Sequence, residues 1–294
     1  MSADGGAFAS DAATRRLPAR VGVYGGGRMG AGIAHAFVSA GSQVVVVEGS
    51  TEAAEAAGAR IASSLAKAAE RGTLGVDAEA AHAAYRTTTD PADLAEVTLV
   101  VEAVPEDVEL KRQVFAAVEQ SAPDAVLATN TSSLSIDSIA EGLSRPERLV
   151  GLHFFNPVPV SDLVEVVVGR RTDPGLVDEA RAWVEALGKT GITVQDAPGF
   201  ASSRLGVAIA LEAMRMVQEG VASAEDIDTA MTLGYRHPVG PLRTTDIVGL
   251  DVRLAIAEHL ARELGPRFEP PQLLRDKVAA GELGRKAGRG FYDW

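Results

Sequence analysis

A short β-branched run, Val21-Gly22-Val23-Tyr24, leads directly into Gly25-Gly26-Gly27-Arg28-Met29-Gly30, and an alanine-rich helical pattern follows through Ala40. A second apolar run, Val44 to Val47, ends on the acid Glu48. Strand, Gly25-x-Gly27-x-x-Gly30, helix, strand and acid, in that order, confine this region to a parallel βαβ unit shaped for a dinucleotide. Gly25 permits a tight strand-to-helix turn, and Gly27 lets the backbone approach a pyrophosphate. Gly30 lets the helix pack close to the sheet, and the phosphates sit at its amide-rich N-terminus. Glu48 would accept hydrogen bonds from the adenosine ribose hydroxyls and repel a 2′-phosphate, so the expected cofactor is NAD rather than NADP.

Alternating strand and helix patterns continue beyond this unit. Thr51 reads as the cap of a long helix reaching about Arg71, with Ile61 and Leu65 on one side. Val97 to Val101, Val126 to Ala128, Leu149 to Phe154, Leu163 to Val168 and Gly191 to Val194 read as strands. Helices are expected from Val108 to Val118 and from Asp173-Pro174 to Leu187, since proline suits a first helical turn. After Asp196 the pattern turns helical throughout: Phe200 to Glu219, Ala224 to Leu233 behind Ser223 as N-cap, Leu250 to Leu264, and Pro271 to Ala280. The expected fold is α/β, a Rossmann-type doubly wound sheet (residues 20–196) followed by a smaller all-α domain (197–294). Residues 1–19 read as a loose leader without the apolar core of a signal peptide. Ligands of such sheets bind at the carboxyl ends of the strands.

Composition narrows the partners. The 294 residues carry a net charge of −12 and nothing resembling a basic stripe, which argues against nucleic acid. No uncharged run approaches the ~20 residues of a membrane helix. The absence of cysteine excludes disulfides and thiolate chemistry and fits a soluble, cytoplasmic protein.

Three segments place polar residues on short apolar or tightly turned stretches: Asn130-Thr131-Ser132-Ser133, His153-Phe154-Phe155-Asn156-Pro157, and Leu163-Val164-Glu165-Val166. Oxidising an alcohol with NAD needs a base for the hydroxyl proton while hydride leaves the same carbon, and histidine suits that task near neutral pH. A carboxylate on the other ring nitrogen would fix the tautomer and stabilise the imidazolium. Glu165, set among valines, is the candidate partner for His153. The other histidines, His35, His82, His237 and His259, read as helix or loop residues, and only His237 keeps a functional reading.

These three segments resemble the signatures of the L-3-hydroxyacyl-CoA dehydrogenase family. The resemblance extends to Pro198-Gly199-Phe200, Glu225-Asp226-Ile227-Asp228-Thr229-Ala230-Met231 and Gly290-Phe291-Tyr292, and to Arg28 and Met29 within the glycine motif. It implies that His153 is the catalytic base, that Glu165 orients it, and that Ser132 bonds the substrate's 3-oxygen or a nearby cofactor group. It implies NAD contacts for Glu106, Lys111, Asn156 and Lys286, and contacts to the coenzyme A arm of an acyl-CoA substrate for Ser64 and Arg71. It also implies a homodimer through the C-terminal domain.

One position departs from the family pattern. Where an asparagine that helps hold substrate is expected, this chain has Ser203, which is shorter and offers one hydroxyl in place of a planar amide. The expectation is that activity survives while substrate choice moves. Two alternatives therefore stay open: the same hydride chemistry on a free hydroxyacid, with Arg243 or Arg204 as carboxylate clamps, or on a carrier-bound hydroxyacyl group. A third, from another class, is a NAD-binding protein without turnover.

Overall fold

The computed structural model describes residues 17–294, so most of the expected leader, residues 1–16, lies outside the described residues. The chain divides into two compact units. One holds the described residues through Thr131 together with Ile136–Val194, and the other holds Ser132–Ser135 with Gln195–Trp294.

The first unit runs β1 (Arg20–Tyr24), α1 (Arg28–Ser39), β2 (Gln43–Val47), α2 (Thr51–Glu70), α3 (Ala78–Ala83), β3 (Tyr85–Thr88), β4 (Leu99–Glu102), α4 (Val108–Ser121), β5 (Val126–Thr129), α5 (Ile136–Ala140), β6 (Leu149–Phe154), β7 (Leu163–Val168), α6 (Pro174–Ala186) and β8 (Thr190–Gln195). The strands form one sheet in the order β3-β2-β1-β4-β5-β6-β7-β8. Pairing is parallel from β3 through β6 and antiparallel between β6 and β7. Strands covered on both faces must be apolar on both faces, and Val21, Val23, Val44, Val46, Leu99, Val100 and Val101 are all fully or almost fully buried.

Caps set where the helices begin. Ser50, not Thr51, caps α2: its extended backbone lets the hydroxyl accept from Ala53 N at 3.2 Å, and Thr51 becomes the first helical residue. Asp107 caps α4 and Asp173 caps α6, with Pro174 in the first turn as the sequence predicts. The pair α3–β3 carries no apolar run to announce it. Its strand, Tyr-Arg-Thr-Thr, is the sheet edge, where little burial is demanded.

The second unit comprises α7 (Ser202–Gln218), α8 (Ala224–Thr229), α9 (Pro241–Val248), α10 (Leu250–Leu264) and α11 (Gln272–Ala279). The segment expected to be one helix to Leu233 ends at Thr229 and continues as a π-turn, Ala230–Gly234. Leu211, Met214, Leu242, Leu250, Leu260 and Leu274 build its core. The buried Asp246 carboxylate fastens the C-terminal tail, accepting from Phe291 N, Tyr292 N and Trp294 Nε1, each at 2.9 Å.

A buried charge ties the carboxyl edge of the sheet together. Glu102, at the end of β4, has no exposed surface. Its Oε1 accepts from Val104 N and Lys111 Nζ, and its Oε2 from Thr129 Oγ1, all at 2.7 Å. One carboxylate thereby joins β4, α4 and β5. Burial, only partly offset by Lys111, holds the Glu102 carboxyl above its ordinary pKa.

Lys111→Met is expected to cost about 3–5 kcal/mol near neutral pH, because it strands a buried carboxylate. Since the Glu102 carboxyl is raised, the loss should shrink as pH falls and the group takes up a proton, which denaturant unfolding at several pH values would read. A pH-independent loss would contradict the assignment. Gly30→Ala should cost about 3 kcal/mol or more and abolish NADH binding, because a Cβ there would overlap the Gly25 carbonyl oxygen. A variant with unchanged Tm and NADH affinity would show that the loop yields.

Candidate active site

The glycine turn is built by its own backbone. Gly25 has φ +93°, and its N–H donates to Val47 O at 2.8 Å, while a Cβ there would meet Ala103 O at 2.9 Å. A Cβ at Gly27 would meet nothing within 4 Å, so this residue faces open space. Gly27 caps α1 with extended backbone and no side-chain cap, which leaves the first-turn amides for an anion. Gly30 is needed chiefly because α1 crosses the Gly25 carbonyl, with Val23 of β1 close behind. Gly26, outside the motif as read, is equally constrained, since a Cβ would overlap Ala57 of α2. Arg28 is exposed, and Met29 packs against the core.

Glu48 follows β2 and takes part in this loop. Its Oε1 accepts from Gly26 N at 2.5 Å, while Oε2 has only a long contact of 3.4 Å to Gly49 N. The carboxylate thus braces the glycine turn with one oxygen and keeps the other for a ligand hydroxyl. An uncapped helix, an open Gly27 and this carboxylate suit the phosphate and ribose of NAD.

Beyond β4 the chain places Glu106 and Lys111 together. Glu106 Oε1 accepts from Thr131 Oγ1 at 2.6 Å, and Lys111 Nζ lies 3.4 Å from Glu106 Oε2. Lys111 is buried, and Glu106 is exposed. Asn130, just past β5, accepts from Phe154 N at 2.9 Å and joins two strand ends. Asn156 follows β6 and is exposed.

His153 and Glu165 meet because β6 and β7 are antiparallel. Their register sets His153 directly opposite Glu165. The ring Nδ1 lies 2.7 Å from Glu165 Oε2, with Glu165 fully buried and His153 7% exposed. A buried carboxylate on one imidazole nitrogen fixes the ring and its tautomer and stabilises the charged form at the other nitrogen. The Phe155 ring packs against the imidazole, with centroids 4.5 Å apart.

A groove of about 760 Å³ in the same unit lies between α1, α2 and the segment Asn156–Val160. Ser64 and Arg71 line it, joined by Arg28, Arg60 and Lys67. Arg60, Ser64, Lys67 and Arg71 recur every three or four residues, so they share one face of α2, a spacing legible in the sequence but not read there. Ser64 Oγ is 2.9 Å from Nδ1 of the buried His35, which was set aside as a plain helix residue. Burial, and secondarily Lys189, hold His35 below its ordinary pKa. Lys189 Nζ donates to Val158 O and Ser161 O, each at 2.7 Å, and so fixes the far wall. Its signal in the sequence was nil.

Three expected residues belong to the C-terminal unit. Ser132 lies in the short stretch after β5 that groups with this unit, where Ser135 Oγ donates to Asp196 Oδ2 at 2.7 Å. Ser203 is half-buried in the first turn of α7. Lys286 Nζ pairs with Asp251 Oδ2 at 2.6 Å and holds that carboxyl below its ordinary pKa.

Comparison with known proteins places this geometry in context. Residues 20–197 match the family model for the 3-hydroxyacyl-CoA dehydrogenase NAD binding domain, and residues 199–294 the model for the C-terminal domain of the same family. A 3-hydroxybutyryl-CoA dehydrogenase of Mycobacterium tuberculosis is 42% identical over 280 residues, spanning 94% of this chain and 98% of that protein. One of Clostridioides difficile is 38% identical over 278 residues, spanning 94% and 99%. The crystal structure of the (S)-3-hydroxybutyryl-CoA dehydrogenase of Ralstonia eutropha superposes with a TM-score of 0.90 at 40% identity, covering 94% of this chain and 99% of that one. Two family models that together cover nearly the whole described chain, and relatives this similar over their full lengths, lead to one conclusion: the chain belongs to the 3-hydroxyacyl-CoA dehydrogenase family.

Proposed function

We propose that this protein oxidises an L-3-hydroxyacyl-CoA, short-chain and similar to 3-hydroxybutyryl-CoA, to the 3-oxoacyl-CoA with NAD as oxidant. The observation that carries the reading is the buried His153–Glu165 pair at 2.7 Å, within a unit whose glycine turn and Glu48 suit NAD. Bound NAD would supply the acceptor for the hydride at C3 of the substrate. His153 takes the hydroxyl proton at Nε2, the nitrogen not bonded to Glu165, and returns it in the reverse direction. Glu165 orients the ring and stabilises the imidazolium. Ser132 is assigned to the substrate 3-oxygen, and Glu106, Lys111, Asn156 and Lys286 to holding the cofactor.

The groove beside α2 suits the coenzyme A arm. Its arginines and Lys67 can meet phosphates, and Arg71 can do so with two donors. Ser203 is the observation that favours a second reading, in which the same hydride chemistry acts on a carrier-bound or free hydroxyacid.

A homodimer is part of the proposal. Leu205, Ile209, Ile247, Val248 and Val252 of the C-terminal unit are 38–63% exposed, an apolar set that a second copy would cover. Among the described residues no helix is long and apolar enough to cross a membrane, and we place the enzyme in the cytoplasm, where a chain without cysteine is at home.

His153→Gln should lower turnover by about 10²–10⁴-fold with NADH affinity unchanged in fluorescence titration. Glu165→Gln should lose less and shift the pH profile of kcat/KM, because the imidazolium loses its charged partner. A His153 variant with near-normal turnover would remove this residue from catalysis.

A further inference from the structure

The groove beside α2 combines a charged rim with an uncharged polar pair. Arg60, Lys67 and Arg71 stand exposed along one face of α2. His35, on α1, lines the same groove but is only 5% exposed. Around it the lining is small and apolar, as at Ala31, Gly32, Ala68 and Val158. A Cβ on Gly32, three residues before His35, would lie 2.9 Å from Val158 Cβ, so α1 and the far wall are in close contact there. All of these residues belong to one compact unit.

The His35 ring makes one hydrogen bond, between Nδ1 and Ser64 Oγ at 2.9 Å. Among the described residues Nε2 makes none, and it is not sealed from solvent. In a ring this buried, a nitrogen left without a partner calls for a ligand that supplies one. The charged groups around the ring are Arg28, Arg60, Lys67 and Arg71 of the groove and Lys189 beyond α6, and every one is a cation. Burial first, and Lys189 second, hold His35 below its ordinary pKa, so the imidazole is neutral at neutral pH. A neutral imidazole bonded to a hydroxyl has two arrangements. If Ser64 Oγ–H donates to Nδ1, Nε2–H is a free donor and Ser64 Oγ a free acceptor. If Nδ1–H donates to Ser64 Oγ, Nε2 is a free acceptor and the hydroxyl a free donor. Either way the pair offers a ligand one donor and one acceptor. A secondary amide carries one of each, whereas an ionised phosphate carries acceptors only and leaves half of the pair unmatched.

We propose that His35 is a specificity-determining residue that acts jointly with Ser64, the two holding an amide of the substrate's pantetheine arm through His35 Nε2 and Ser64 Oγ while the cationic rim meets the phosphates. The inference rests on the acyl-CoA reading above and deepens it: the neutral arm, and not only its charged end, determines which substrates are held. The small apolar lining suits the rest of such an arm. A site built around a polar pair discriminates against the analogue lacking its partner, so a free hydroxyacid gains nothing from this subsite.

Calorimetry with two ligands decides this without requiring turnover. The full-length protein, with NADH saturating so that the dinucleotide site is filled, is titrated with CoA and with adenosine 3′,5′-bisphosphate, which keeps the phosphates and lacks the arm. His35→Leu should weaken CoA about tenfold and leave the bisphosphate unchanged. His35→Gln, whose carboxamide again supplies a donor and an acceptor, should keep most of the CoA affinity. Ser64→Ala should also weaken CoA alone, and the double variant should lose less than the sum of the two single losses, because the residues act as a pair. Unchanged CoA affinity in His35→Leu, equal losses for both ligands, additive losses in the double variant, or a wild type that does not bind CoA each overturns the proposal. Nitrogen-15 NMR of the wild-type histidine rings, with His35 assigned through His35→Gln, keeps the test open if His35→Leu does not fold. CoA should shift the His35 Nε2 resonance and the bisphosphate should not, and a His35 ring indifferent to CoA overturns the proposal. NADH consumption with acetoacetyl-CoA on the same samples separates the two readings. Its absence condemns the dehydrogenase activity and leaves the two-ligand pattern standing, whereas turnover with CoA affinity unchanged in His35→Leu condemns only the role of His35.

Discussion

Burying a carboxylate is costly unless donors meet it from several directions, and this requirement organises the carboxyl edge of the sheet. Glu102 collects a backbone amide, a lysine and a threonine from three successive elements. Glu165, equally buried, holds His153 across an antiparallel pair. Glu48, less buried, holds the glycine turn through Gly26. Each acid satisfies its own need for donors and, in doing so, fixes one part of the proposed nucleotide and substrate site. The apolar strands could stack in other registers, but these pairings could not survive them. A slip of one residue between β6 and β7 would turn Glu165 to the opposite face from His153.

The antiparallel step at β7 is a departure from an all-parallel sheet, and it is what sets His153 opposite Glu165. In a parallel pair, residues facing each other come from strands joined by a long crossover. Here β6 and β7 are linked through the short segment carrying Asn156 and the groove wall. One stretch of chain therefore bears the proposed general base, a proposed cofactor contact and one side of the proposed coenzyme A groove, and Lys189 pins it from beyond α6.

Much of this was readable in advance, for identifiable reasons. Buried parallel strands advertise themselves as valine runs, so β1, β2, β6 and β7 stood out, and the glycine motif announced the turn between β1 and α1. Edge strand β3 and short helix α9 carry polar sequences, and nothing in them competes with a loop reading. The burial of Lys111 is not legible in the sequence because its partner, Glu102, sits nine residues away on another element, and only the fold brings them within 2.7 Å. His35 and Lys189 were invisible for the same reason: their roles rest on contacts 28 residues or more along the chain. Ser203 stands out as a departure because the motif around it fixes what its position should carry.

The most direct test of the account is NADH consumption with acetoacetyl-CoA, measured beside free acetoacetate and with NADPH in place of NADH. The account predicts rapid turnover for the thioester with NADH, and rates lower by about tenfold or more, 1.4 kcal/mol of discrimination each, when either the coenzyme A arm is missing or a 2′-phosphate faces Glu48. Silence with the thioester while NADH binds normally, or equal rates with both cofactors, would contradict it.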